Sequence, residues 1–184
     1  IRGGFYRPLV VHRLRAGLDA GGAIVGWHHR IVAQSILKGT PFEAALVRNG
    51  IDQTSVEGGS TLPYKIENLL VDLHTPEVGV PVLWWRSVGH THTAFSTETF
   101  LDELARAAGR DPVAVRRALL AAHPRHLGVL ELAAEKAGWG TPLPAGRARG
   151  VAVHESFASY VAIVAEVSAE RDRVRVHRMT CAVD

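Results

Sequence analysis

The sequence predicts an α+β fold, in which β-hairpins and a small sheet flank a cluster of about three helices. Three observations predict it. Residues 8–34 and 150–184 carry the period-of-two patterning of strands, residues 96–138 carry helical stripes between capping signals, and the two kinds of segment are grouped rather than interleaved. Strands alternating with helices would instead build a doubly wound parallel sheet. The composition agrees: 47% hydrophobic and 21% charged residues, with 18 Gly and 9 Pro in 184, exclude a disordered tail, a collagen-like repeat and a coiled coil. A chain of this length buries roughly 70% of its unfolded surface.

The first hairpin is read from Val10, His12, Leu14, Ala16 and Leu18 alternating with Val11, Arg13 and Arg15. Asp19-Ala20-Gly21-Gly22 supplies its turn and residues 23–33 the returning strand. Thr40 to Val47 reads as a short helix, with Thr40 as cap and Pro41 in the first position, and residues 49–63 read as loop. A Trp-rich strand is expected at 82–86. A helix then runs from Ser96, its cap, to about Ala108, with Phe100, Leu101 and Leu104 inward and Gly109 ending it. Asp111-Pro112 opens a second helix and Pro124 a third, which Gly138 closes. The last two strands turn at Ala169-Glu170-Arg171-Asp172. The expected division is 1–139, a Pro/Gly/Arg linker at 140–150, and the start of a further β-rich segment at 151–184.

Charge and cysteine content narrow the function classes. A net charge of +3, with basic residues scattered among acids, leaves no electrostatic footprint for nucleic acid. The lone Cys181 excludes an internal disulfide framework and any thiolate-rich zinc or iron–sulfur site built by this chain alone. In its apolar strand it reads as inert. No stretch approaches the ~20 unbroken apolar residues of a membrane span. The chain opens at Ile1 without a targeting segment and stops inside a strand-like run at Asp184, which predicts a piece of a longer protein.

The segment best suited to carry chemistry is Trp84-Trp85-Arg86-Ser87-Val88-Gly89-His90-Thr91-His92-Thr93-Ala94-Phe95. A strand ending in arginine, a short glycine-containing loop and a capped helix leave backbone N–H groups unpaired at the positive end of a helix dipole, which makes an anion site. The candidate binding residues are Arg86, Ser87, Val88, Gly89 and His90. Gly89 lets a ligand approach the backbone, and Arg86 adds a cation for phosphate. An ordinary helix start, with Arg86 on a solvated face, is the alternative.

Other constellations are weaker. His90 and His92, two apart in an extended loop, would point the same way and suit zinc, with His154 and Glu155 completing a set, but nothing in the sequence brings these together. His28 and His29 on one strand face opposite ways, so one belongs in the core or at an interface. His154-Glu155-Ser156 lacks the strained elbow of a serine hydrolase. Gly58-Gly59-Ser60-Thr61 lacks the lysine and the strand–helix context of a P-loop. No catalytic residue and no metal ligand is assigned.

Tyr6-Arg7-Pro8, Ala16-Gly17-Leu18-Asp19-Ala20, Trp85-Arg86-Ser87-Val88-Gly89-His90 and the run from Phe95 through Glu98 to Phe100-Leu101-Asp102-Glu103-Leu104-Ala105 carry a joint resemblance. It continues through Leu130-Glu131-Leu132-Ala133-Ala134-Glu135-Lys136-Ala137-Gly138-Trp139 and Val153-His154-Glu155-Ser156-Phe157 to Cys181-Ala182-Val183-Asp184. In this order, over nearly the whole chain, the sequence resembles the molybdopterin-binding subunit of isoquinoline 1-oxidoreductase and bacterial aldehyde dehydrogenases, within the xanthine dehydrogenase group of molybdenum hydroxylases.

The resemblance implies that 1–139 is a segment of a molybdopterin-binding domain and that Arg86 to His90 is one of several backbone segments holding the cofactor. That cofactor would be a molybdenum-pyranopterin, as molybdopterin or its cytosine dinucleotide, in the parent protein, with none held tightly by this piece. The implied chemistry is oxidation of an N-heterocycle such as isoquinoline, or of an aldehyde, with water as oxygen source. The implied partners are an iron–sulfur small subunit, the remainder of the large subunit and the small-molecule substrate, without nucleic acid. Uncovered strand edges further predict a dimer or aggregate of the isolated piece. The glycine-rich GGGFG segment and the late glutamate base of the family are absent, and Glu98, Glu103 and Glu155 do not take that base's place. An isolated piece is therefore expected to be inactive; the alternative is a non-catalytic scaffold domain derived from the same fold.

Overall fold

The computed structural model describes residues 3–184, so what the sequence suggested from Ile1 and Arg2 lies outside the described residues. The chain forms two compact units, Ile1–Leu62 with Ile66–Phe100, and Pro63–Lys65 with Leu101–Asp184.

In the first unit, β1 (Val10–Leu18) and β2 (Ile24–Ala33) form the expected antiparallel hairpin, in register from Val10 opposite Ala33 to Gly17 opposite Gly26. Asp19 closes it, its carboxylate accepting the N–H groups of Gly21 at 2.9 Å and Ala23 at 2.8 Å. Alternation along β2 buries Trp27, His29, Ile31 and Ala33 and turns His28 and Arg30 the other way.

The next segment departs from expectation. The helix read at 40–47 shrinks to α1 (Glu43–Leu46), with Phe42 rather than Thr40 at its N-cap; the Thr40 hydroxyl donates to the Leu37 carbonyl at 2.7 Å and accepts the Phe42 N–H at 3.3 Å. From the end of the expected helix into the expected loop runs a miniature hairpin, β3 (Val47–Arg48) and β4 (Ile51–Asp52), turning through Asn49 and Gly50 at positive φ. The expected loop also holds α2 (Gln53–Val56), whose first turn Asp52 caps by accepting the Thr54 N–H at 2.9 Å.

β5 (Leu69–His74), which no sequence pattern announced, pairs parallel to β2 and completes a sheet in the order β1-β2-β5. Ile31, Ala33 and Val56 form a core cluster with Val10, Val71 and Leu73 against it. Each fully buried aliphatic side chain there contributes roughly 1.5–3 kcal/mol. The Trp-rich strand expected at 82–86 reduces to one bridge, Tyr6 to Val82.

α3 (His90–Ala107) begins at His90 rather than Ser96 and continues into the second unit. Ser96 is not a cap. It is buried inside the helix and donates to the Thr93 carbonyl at 3.1 Å.

The second unit follows its local signals closely. Asp111 caps α4 (Pro112–Leu119) by accepting the Ala114 N–H at 2.8 Å, and Gly138, at φ +65°, ends α5 (Pro124–Ala137). β6 (Arg147–Ser156), β7 (Ser159–Glu170) and β8 (Arg173–Val183) form an antiparallel sheet in that order. α5 lies on this sheet, burying Val129, Leu130, Ala133 and Ala137 along with Val151, Val153, Ala162 and Val164 of the same unit.

The two compact units run otherwise than the expected division. α4 and α5 share a unit with β6–β8, the break falls near Phe100, and the linker shortens because β6 starts at Arg147. The physical reason is that the apolar stripe of α5 needs a face to cover, and β7 and β8 provide it.

Candidate functional site

The loop from Arg86 to His90 lies wholly in the first unit. The Val88 N–H donates to the Trp85 carbonyl at 2.9 Å, and Val88 sits at φ +47°. A β-branched residue in the left-handed region stores about 1–3 kcal/mol, so its neighbours must hold it there. Gly89 is one such neighbour. A Cβ at Gly89 would stand 2.1 Å from the Thr54 carbonyl oxygen and 2.7 Å from Glu57 Cγ, so only glycine fits against α2.

Glu57 is the second. Its Oε1 accepts the Gly89 N–H at 2.6 Å, the His90 N–H also donates to it, and its Oε2 lies 4.0 Å from His90 Nε2. The Glu57 main-chain carbonyl in turn accepts the Thr93 hydroxyl at 2.8 Å. The positive end of α3 therefore already holds an anion, and that anion belongs to the chain itself. Burial pushes the Glu57 carboxyl up, against the downward pull of the Gly89 N–H and of His90.

Of the five candidate residues, the structure leaves Arg86 and Ser87 exposed, with no hydrogen bond or ion pair among the described residues. Val88 is half-buried and Gly89 is buried, its N–H occupied by Glu57. The expectation of free amides at Gly89 and His90 is thus corrected: the seat is filled by Glu57, which sequence reasoning misses because it lies 32 residues away from Gly89.

Beside the loop is a cluster of imidazoles. His12 Nδ1 and His29 Nε2 share a proton at 2.7 Å, and the His12 ring centre lies 5.0 Å from that of His29 and 5.1 Å from that of His92. Burial holds His29 and His92 down to about 4, the nearby His12 adding to the effect, so all three rings are neutral at pH 7. His12 Nε2, His29 Nδ1 and His92 Nδ1 are buried without a hydrogen-bond partner among the described residues. Gly59 packs on the cluster, a Cβ there standing 3.4 Å from His29 Nδ1 and 3.5 Å from Thr93 Cγ2.

An open cleft of about 480 Å³ borders His12 and His92, with Arg7, Leu9, Thr91 and Phe95 along it. A second cavity, touching Val88 and Gly89, measures about 20 Å³ and suits about one water. The Arg7 guanidinium stands 5.9 Å from the Trp85 ring centre, on the side of the cleft.

The zinc arrangement is corrected as well. His90 and His92 lie in the first turn of α3, where residues two apart diverge, and His154 and Glu155 belong to β6 in the other unit. Glu155 accepts the Ala158 N–H at 2.8 Å. Among the described residues no group of three or more His, Cys, Asp or Glu is placed to hold a metal ion. His28, facing away from His29, pairs with Asp72 at 2.8 Å, as the strand period implied. Cys181 is exposed on β8.

No protein-family profile matches the chain. It is 32% identical over 131 residues to the beta chain of isoquinoline 1-oxidoreductase from Brevundimonas diminuta, a match that covers 68% of this chain and 17% of that protein. It is 29% identical over 177 residues to a nicotinate dehydrogenase subunit of Pseudomonas putida, covering 84% of this chain and 15% of that protein. The chain thus spans about a sixth of the length of these curated relatives. Its fold matches part of quinoline 2-oxidoreductase from Pseudomonas putida 86, with a TM-score of 0.59, 16% identity and coverage of 90% of this chain and 22% of that one.

Proposed function

We propose that this chain, a homologue of molybdenum hydroxylase large subunits over most of its length, supplies part of the molybdopterin-binding site of such an oxidoreductase. Related molybdenum hydroxylases use a molybdopterin cofactor. When bound, it supplies the redox chemistry, and the protein supplies position and electrostatics.

The observation that carries the reading is the loop in which two exposed polar side chains, Arg86 and Ser87, without partners among the described residues, stand next to a strained Val88. Arg86 fits an anionic cofactor group, and the Ser87 hydroxyl adds a neutral donor. The buried amides of Gly89 and His90 do not fit that role, since Glu57 has them. The substrate is proposed as an N-heterocycle or an aldehyde, with an iron–sulfur subunit as partner and the remaining polypeptide completing the pocket. Both curated relatives are themselves designated subunits.

Metal and pterin content of the purified full-length polypeptide carrying this chain tests the reading. A charge-assisted hydrogen bond contributes about 1.5–3 kcal/mol, so Arg86→Ala should lower molybdenum retention roughly tenfold or more. Full molybdenum content in Arg86→Ala, or none in the parent, would overturn it.

A further inference from the structure

We propose that Glu57 is a positioning residue: its carboxylate fills the amide seat at the start of α3 and thereby fixes Arg86 and Ser87 where a cofactor meets them. The inference rests on the reading of Arg86 and Ser87 as cofactor-facing, but its physical core does not.

Four contacts from one short segment converge on the loop. Glu57 Oε1 takes the Gly89 N–H at 2.6 Å, and the His90 N–H also donates to the Glu57 carboxylate. The Glu57 carbonyl takes the Thr93 hydroxyl. The Thr54 carbonyl oxygen lies 2.1 Å from where a Cβ of Gly89 would be. Val88, between Gly89 and the exposed pair, is held in a backbone region that a β-branched residue leaves when free to do so. Strain of this kind persists only when its surroundings over-determine it, and a half-buried carboxylate on two amides does so.

A glutamine at this position is informative. Its single carbonyl oxygen accepts without a full charge and its NH₂ can only donate, so the two amides lose a charged acceptor. The shape is kept and the clamp is lost. Asp52 and His90 are the other titratable groups facing this carboxylate, and both are unchanged by the substitution.

The test compares the full-length polypeptide with its Glu57→Gln variant by amide hydrogen exchange over residues 86–92, together with molybdenum content. Glu57→Gln should lose protection there by roughly tenfold, leave residues 124–137 protected as before, and bind less molybdenum.

Unchanged protection of 86–92 in Glu57→Gln overturns the proposal even if Arg86→Ala loses its molybdenum. Loss of protection with molybdenum fully retained also overturns it, because the loop would then be held for some other purpose. If Arg86→Ala retains molybdenum, the cofactor reading fails instead, independently of what Glu57 does.

Discussion

Neutral imidazoles beside one another are a liability as pH falls. His29 and His92 are held at about 4 by burial and by the His12 charge that would form beside them, whereas in the unfolded chain each titrates near 6.5. The folded state therefore takes up fewer protons between these values, and the stability they provide is complete above pH 6.5 and lost as pH falls toward 4. Glu57 works the other way, since its raised carboxyl lets the folded state bind a proton first. Two or three histidines outweigh one glutamate, so denaturation followed from pH 7 to 4 should show falling stability with about two protons taken up on unfolding. A flat profile across that window would contradict this. At the residue scale, the opposition of His28 and His29 is legible in the sequence because strand period fixes which way neighbours point. Glu57 is not, since no local pattern links it to a loop 32 residues on.

At the scale of elements, legibility follows where the capping groups come from. α4 and α5 are readable because Asp111, Pro112, Pro124 and Gly138 are adjacent to the turns they cap. The start of α3 is not, because its amides are served by a distant carboxylate, while Ser96 imitates a local cap. α1, β3, β4 and α2 are two to four residues each, too short to show a period. Two glycines set the helix context in contrast. Gly89→Ala must displace the Thr54 carbonyl and should destabilise by about 3 kcal/mol or more. Gly128→Ala, in α5 with nothing within 4 Å, should stabilise by about 0.5–1 kcal/mol. Urea midpoints of the two variants decide both signs.

Across the whole molecule, the α+β class is legible from grouping alone, but the division is not. Periodicity marks the apolar stripe of α5 without saying that β7 and β8 will cover it. β8 itself leaves Val174, Val176, Met179 and Val183 exposed. The two three-stranded sheets also differ in kind: β6, β7 and β8 follow one another by tight reversals, whereas β5 joins β2 in parallel across residues 34–68.

That parallel pairing has a kinetic meaning. Closing so long a segment spends chain entropy before any contact rewards it, so the β2–β5 junction should form later than the β6–β8 meander. Thr54 and Glu57 ride on that segment. In a refolding pulse-labelling experiment, the amides of Gly89 and His90 should therefore become shielded after those of β7; simultaneous shielding would show that the two sheets assemble as one cooperative event. The last part of this chain to mature would then be the loop on which its proposed task depends.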